Sequence, residues 1–182
     1  ALSSFEEMGT VPSCQSGHTR AYVKIQDGCN NFCTYCRIPY VRGRIRSRRA
    51  SDVIDEVNNL VSIGYKEIVL TGIHVTSYSD EGKNLADLCE AIGCTQLDRL
   101  RLSSLEPKFV TKEIAKRLSE IDILCNHFHL SLQSGCDRTL KRMNRRYSTY
   151  DYEMSADYLR YHFDDPGLTT DIIAGFPGED EE

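Results

Sequence analysis

Short apolar runs alternate with amphipathic segments along this whole chain, and that alternation limits its possible folds more than any other feature. "YVKIQ" at residues 22–26, "EIVLTG" at 67–72, "RLRLSS" at 99–104, "FHLSLQ" at 128–133 and "LTTDIIAGF" at 168–176 read as five strands. The second is too short for a helix and rich in branched residues, so it reads as a buried strand. Helical patterns lie between them. In residues 51–64, Val53, Ile54, Val57, Leu60 and Val61 repeat at helical spacing. Ser51 suits the N-cap, Asp52 and Asp55 the positive end, and Gly64 the C′ position. Asn84 can cap a helix through Leu85, Leu88 and Ile92 that ends at Gly93. Thr111 can open another through Ile114, Ala115 and Leu118, and a broken helical region runs from about Asp137 to Phe163.

Strand–helix alternation builds a parallel sheet with right-handed crossovers. The chain has 182 residues, whereas a closed eightfold barrel takes roughly 250. The expected fold is therefore α/β: an open, partial β/α barrel of about five units over residues 20–182. Residues 1–19 are expected to be a linker or the remnant of a preceding domain. Both ends, "ALSSFEEMGT" and "GFPGEDEE", read as cuts from something longer. No run approaches the roughly 18 apolar residues of a membrane span, and no secretory pattern opens the chain. The expectation is a cytoplasmic protein with no membrane partner. In such sheets chemistry gathers at the carboxyl ends of the strands. The segments to read are thus "DGCNNFCTYC", "TGIHVTSY", "SSLEP", "LQSGCDR" and "GFPGE".

The first of these holds Cys29, Cys33 and Cys36 in a C-x3-C-x2-C loop. Clustered thiols in a chain without an export signal point to metal or catalysis rather than to disulfides. Structural zinc wants four ligands in a closed shell; a fourth could come from Cys14, His18 or a distant cysteine. A redox dithiol needs only Cys33 and Cys36. An iron–sulfur cube is held by thiolates, and three of them leave one iron open to a substrate or cofactor. Cys89, Cys94 and Cys125 read as small buried or half-buried residues. The net charge of −5 argues, taken alone, against a nucleic-acid partner, yet six arginines fall between Arg37 and Arg49.

The cysteine loop, with Tyr35 before its last cysteine, resembles the signature of the radical S-adenosylmethionine enzymes. That resemblance implies a 4Fe–4S cluster on Cys29, Cys33 and Cys36, S-adenosylmethionine chelated at the open iron, and one-electron cleavage to a 5′-deoxyadenosyl radical. "GCNNFCTYCRIPYVRGRIRSR", "LSLQSGCDRTLKRMNRRYS" and "TTDIIAGFPGE" are similar to one branch, the tRNA methylthiotransferases. "LTGIHVTSY" and "RLSSLEP" resemble the sub-branch that methylthiolates C2 of N6-threonylcarbamoyladenosine beside the anticodon. Arg37 stands where that family usually has an apolar residue, and Cys136 where it has serine. Family members carry an N-terminal domain with a second cluster, a C-terminal RNA-binding barrel and a final barrel strand; none of these is in this sequence. The implied partners are those domains, a tRNA anticodon loop and an electron-donor protein.

On this reading the cofactor lies among Tyr35, Gly72, His74, Ser103, Ser104, Glu106, Gln133, Ser134 and Gly175. Gly72 is expected to let backbone approach a ligand. His74 can touch the cofactor or be a satisfied structural histidine. Ser103, Ser104 and Glu106 suit the ribose or methionine end, although Pro107 alone accounts for part of that turn. His127 and His129 share one strand face by period two and read as structural. Arg42, Arg44, Arg46, Arg48 and Arg49, with Arg145 and Arg146, are expected to meet RNA phosphates and unpaired bases or a neighbouring domain. Two rival functions remain open. One is a non-catalytic zinc or iron–sulfur module contacting RNA or protein. The other is a methylthiotransferase with a different target, another modified adenosine or a ribosomal protein.

Overall fold

The structure, a computed structural model, describes residues 19–180. The expected linker, Cys14 and His18 lie outside the described residues, except for Thr19 at the linker's end. The elements run β1 (Arg20–Asp27), α1 (Ile38–Val41), β2 (Arg46–Ser47), α2 (Ala50–Ser62), β3 (Glu67–Gly72), α3 (Leu85–Gly93), β4 (Arg99–Leu102), α4 (Lys112–Ser119), β5 (His127–His129), α5 (Asp137–Arg142), α6 (Thr149–His162) and β6 (Gly167–Thr169).

β1 pairs in parallel with β3, and β3 with β4. β5 and β6 form a second parallel pair. The two pieces are joined by single parallel bridges, Leu100 to Leu124 and Leu105 to Leu130. The result is a curved half-barrel in the order β1-β3-β4-β5-β6, as the alternation predicts. One strand was not expected: β2 runs antiparallel along β1, with Asp27 opposite Arg46 and Gln26 opposite Ser47. Two residues are too few to show a period in sequence. The last two expected strands are also shorter than their apolar runs. Gln133 takes φ +70°, which ends the extended run, and one bridge from Gln133 to Ile172 continues the β5–β6 pairing beyond it.

One strand face meets the helices. Val23, Ile25, Ile68, Leu70, Leu100 and Leu130 are fully buried there, and Phe128 nearly so. They pack with Val53, Val57 and Leu60 of α2, Leu88 and Ile92 of α3, Leu118 of α4 and Leu159 of α6. Each such side chain contributes about 1.5–3 kcal/mol on leaving water. The other face is polar: Glu67 bridges Arg99 and Arg101 at 3.1 and 3.0 Å, and His129 meets Thr169 at 3.1 Å. Parity sends Glu67, Val69 and Thr71 to this face, yet Ile68, Val69 and Leu70 are all buried, as expected of the "EIVLTG" strand.

The caps follow local chemistry. Asn84 accepts from the N–H groups of Ala86 and Asp87, and the Asp87 carboxylate accepts from the Asn84 N–H. Thr111 accepts from Ile114 N–H. Ser51 does not cap α2: the N-cap is Arg49, and the Ala50 N–H donates to Asp80 Oδ2 at 2.8 Å. A side chain from another loop supplies the acceptor that Ser51 was expected to provide. Asp52 sits in the first turn of α2 and Asp55 beyond it, so only Asp52 meets the positive end, because the effect fades within one turn. Cys89 and Cys125 are buried, but Cys94 is exposed because it caps the solvent end of α3.

Candidate active site

The loop after β1 is closed by backbone fit. Gly28 takes φ +73°, and a Cβ there would lie 2.0 Å from the Arg44 carbonyl oxygen, so only glycine passes. The Cys29 N–H donates to Gly43 O at 3.1 Å, and the Cys36 N–H to Cys33 O at 2.9 Å. Gln26, wholly buried, ties this loop to the next strand. Its Nε2 donates to Asp27 O at 2.9 Å and Gly28 O at 2.7 Å, while its Oε1 accepts from the His74 N–H at 2.7 Å. A Cβ on Gly72 would lie 2.7 Å from Gln26 O. The close approach at Gly72 is to Gln26.

A second clamp comes from the connection between α5 and α6. The Thr34 N–H donates to Met143 O at 3.1 Å. Asn144 Nδ2 donates to Asn31 O and Phe32 O, each at 3.0 Å. The "KRMNRRYS" block, read in sequence as a family signature, therefore holds the cysteine loop from behind.

These restraints place Cys29, Cys33 and Cys36 along one cavity of about 150 Å³ at the carboxyl ends of the strands. Its other walls come from Tyr35 in the same loop, Ile73 and His74 after β3, Ser104 and Glu106 after β4, Ser131 after β5, and Arg145. Glu106 is the electrostatic hub. His74 Nε2 lies 2.6 Å from Glu106 Oε2, Asn31 Nδ2 lies 3.4 Å from both carboxylate oxygens, and Arg145 Nη2 lies 4.0 Å from Oε1. Burial pushes the Glu106 carboxyl up, but the His74 hydrogen bond and the charges of His74 and Arg145 outweigh it and hold the group below its usual range. An ionised carboxylate only accepts, so His74 Nε2 carries a hydrogen. Burial above all raises the Tyr35 phenol and the Cys29 thiol, the latter also through the neighbouring Cys33 and Cys36.

Of the nine residues expected to hold cofactor, Tyr35, His74, Ser104 and Glu106 line this cavity. Gly72, Ser103, Gln133, Ser134 and Gly175 do not. The Ser103 N–H donates to Leu70 O at 3.1 Å, and Gln133 exchanges backbone bonds with Asp171 and Ile173. Ser134 Oγ accepts from the Cys136 N–H at 3.2 Å, and the Gly175 N–H donates to Glu179 Oε2 at 2.6 Å. The exit of the last strand still reaches the cysteine loop, because Phe176 packs edge-on against Tyr35 at 6.4 Å. Asn31, Gln26 and Ser131 were missed as site residues, and Arg145, expected to meet RNA or a neighbouring domain, lines the cavity instead. A polar residue that ends up buried was the only available signal.

The arginines divide. Arg46 pairs with Asp27 at 3.5 Å and donates to Arg42 O and Arg44 O. Arg48 pairs with Glu56 and donates to Lys24 O at 3.3 Å. Arg145 turns into the cavity. Arg42, Arg44, Arg49 and Arg146 are exposed. These four remain available to a partner, whereas burial commits the other three to this chain.

The cysteines fit an iron–sulfur cube. All three are free thiols on one cavity, none bridged to another. Two of the sulfurs accept hydrogen bonds, Cys29 Sγ from the Asn31 N–H at 3.4 Å and Cys33 Sγ from Arg145 Nη1 at 3.3 Å, as cluster sulfurs do. Among the described residues, no three of His, Cys, Asp and Glu converge on one ion. Three thiols from one loop on one cavity are a donor set that suits three corners of an iron–sulfur cube.

Comparison with known proteins places this geometry. Residues 23–182 match the family model of the Radical SAM superfamily. The chain is 45% identical over 179 residues to the tRNA-2-methylthio-N(6)-dimethylallyladenosine synthase of Clostridium tetani, covering 94% of this chain and 39% of the relative. It is 41% identical over 167 residues to the threonylcarbamoyladenosine tRNA methylthiotransferase MtaB of Chlamydia pneumoniae, covering 91% of this chain and 40% of the relative. The chain thus spans about two fifths of the length of these curated relatives. Among solved structures, the cobalamin-dependent S-adenosylmethionine radical enzyme OxsB matches with TM-score 0.68 at 13% identity, covering 84% of this chain and 23% of that one. The radical S-adenosylmethionine methyltransferase TsrM of Kitasatospora setae matches with TM-score 0.66 at 19% identity, covering 84% and 30%. At those identities the likeness shows the fold alone.

Proposed function

The chain belongs to the Radical SAM superfamily, and from that premise we propose that residues 20–182 are the radical domain of a cytoplasmic tRNA methylthiotransferase acting at C2 of N6-threonylcarbamoyladenosine. The observation that carries the reading is the single cavity on which three free thiols meet an Arg145–Glu106–His74 network at the strand ends. Cys29, Cys33 and Cys36 would hold a 4Fe–4S cluster which, with S-adenosylmethionine bound, would supply a 5′-deoxyadenosyl radical able to take the C2 hydrogen.

Within this chain, Cys29, Cys33 and Cys36 hold the cluster. Tyr35 and Ile73 give the cavity apolar walls that exclude water. Glu106, kept ionised by its neighbours, and Ser104 present acceptors to the cofactor's amino and hydroxyl groups. The exposed Arg42, Arg44, Arg49 and Arg146 suit the phosphates of an anticodon loop. Two things support the threonylcarbamoyl substrate over the dimethylallyl one: the "TGIHVTSY" and "SSLEP" loops, and the His74 and Arg145 donors they and the clamp place on the cavity. Both side chains already have partners in this chain, His74 in Glu106 and Arg145 in Cys33 and Tyr147, so what they add is positive charge at the cavity, which favours a carboxylate-bearing substituent over an apolar one.

The test is anaerobic. The protein is loaded with iron and sulfide, reduced, and given S-adenosylmethionine and tRNA. It is expected to form 5′-deoxyadenosine and, within the whole enzyme, to methylthiolate tRNA carrying N6-threonylcarbamoyladenosine in preference to tRNA carrying the dimethylallyl base. Cluster-loaded protein that forms no 5′-deoxyadenosine rejects the proposal. A preference for the dimethylallyl base rejects the substrate assignment alone.

A further inference from the structure

We infer that Arg145 is a positioning residue that sets the reduction potential of the cluster site through the Cys33 sulfur, a role that rests on the cluster assignment above. Arg145 Nη1 lies 3.3 Å from Cys33 Sγ. No other hydrogen bond from a charged side chain to Cys29, Cys33 or Cys36 is seen among the described residues; Cys29 accepts only from a backbone N–H. The guanidinium is nearly enclosed, with its side chain 10% exposed, so water screens it little.

Its aim is built rather than incidental. The group lies over the Tyr147 ring at 4.6 Å, and Nε donates to Tyr147 Oη at 3.0 Å. Tyr147 Oη in turn donates to Leu132 O at 2.7 Å, beyond the end of β5. Glu106 stands at 4.0 Å, farther than the sulfur. Asn144, the neighbour of Arg145, binds the carbonyls of Asn31 and Phe32, just before Cys33. Stacking, hydrogen bond and clamp together direct Nη1 to Cys33, while Nη2 faces Glu106.

The consequence is one of charge. Accepting one electron makes a thiolate-ligated site more negative by one unit. A cation donating a hydrogen bond to a ligand sulfur favours the reduced form, and such hydrogen bonds and local charge are among the controls on these potentials. A buried guanidinium on Cys33 therefore raises the potential and eases reduction by a weak donor. Position 145 reads in sequence as one of two adjacent arginines, and nothing local separates Arg145 from the exposed Arg146.

The test is an EPR-monitored redox titration of the cluster-loaded protein without S-adenosylmethionine or tRNA. Arg145→Gln is expected to lower the midpoint by at least the equivalent of a tenfold fall in the reduction constant, about 59 mV for one electron. Arg145→Lys is expected to recover part of that shift. Tyr147→Phe, which keeps the ring and loses the aiming hydroxyl, is expected to shift the midpoint in the same direction by less. A midpoint unchanged in Arg145→Gln overturns the inference. Should that variant take up no cluster, an unchanged midpoint in both Arg145→Lys and Tyr147→Phe overturns it equally. Because no tRNA chemistry is read, such a failure leaves the proposed function standing. A wild-type protein that takes up no reducible cluster sinks that function instead.

Discussion

Gln26 offers the sharpest test of how the loop is held. Its side chain is completely buried and satisfies three backbone groups: the carbonyls of Asp27 and Gly28 and the N–H of His74. Gln26→Met keeps the length and removes every one of these bonds. Each buried backbone group left unpaired costs about 1–3 kcal/mol. Partial access of water to the cavity side reduces the sum, so the expected loss is about 3–6 kcal/mol. Against a total stability of roughly 5–15 kcal/mol this is severe. Gln26→Glu keeps an acceptor for His74 but turns a carboxylate oxygen toward two carbonyls, and a comparable loss is expected. Urea denaturation of the cluster-free protein measures both, read as a fall in midpoint at constant slope. Iron and sulfide per chain should fall as well, because His74 and the Gly28 turn lose their common anchor. A Gln26→Met protein within about 0.5 kcal/mol of wild type would refute the reasoning.

Asn84→Ala should cost about 1 kcal/mol by removing the capping box of α3. Iron content should stay at the wild-type value, since this cap lies on the helix layer; thermal unfolding and iron assay read the two. Acid should unfold the protein through its carboxylates. Burial pushes Glu67, Glu106 and Asp27 up, but their cationic and hydrogen-bonding neighbours prevail, while backbone hydrogen bonds lead in lowering Asp87 and Asp151. Folded-state values below the unfolded ones mean stability that is full above the unfolded carboxylate range near pH 4 and lost as pH falls through the folded values. Urea midpoints measured from pH 6 down to pH 3 should therefore fall steadily, and a flat or rising profile contradicts the network.

Much of the architecture is visible in the chain before folding. The parity that buries Val23 and Ile25 while exposing Tyr22 can be counted along the strand. The cysteine spacing marks the metal loop because thiolates so close together have few other uses. The residues that hold that loop are invisible by the same reasoning. Arg145 and Cys33 are 112 positions apart, and Gln26 reaches His74 across 48. A polar side chain destined for burial has no period and no local partner, so it looks like any surface residue. The arginine run shows the converse error: six similar charges suggest one surface, yet Arg46 and Arg48 are turned inward by Asp27 and Glu56.

What the sequence determined by itself is everything settled within a few residues. Asn84, Thr111 and Ser148 cap their helices through side-chain bonds to backbone no more than three positions away. Such contacts form regardless of where the rest of the chain goes. The order of the strands decided the remainder. Only when β1, β3, β4 and β5 stood side by side could Asp80 replace Ser51 as the partner of α2, or one cavity collect three thiols, a carboxylate and a guanidinium. Burial makes the partner of a polar group obligatory, and where that partner stands is a property of the assembled sheet.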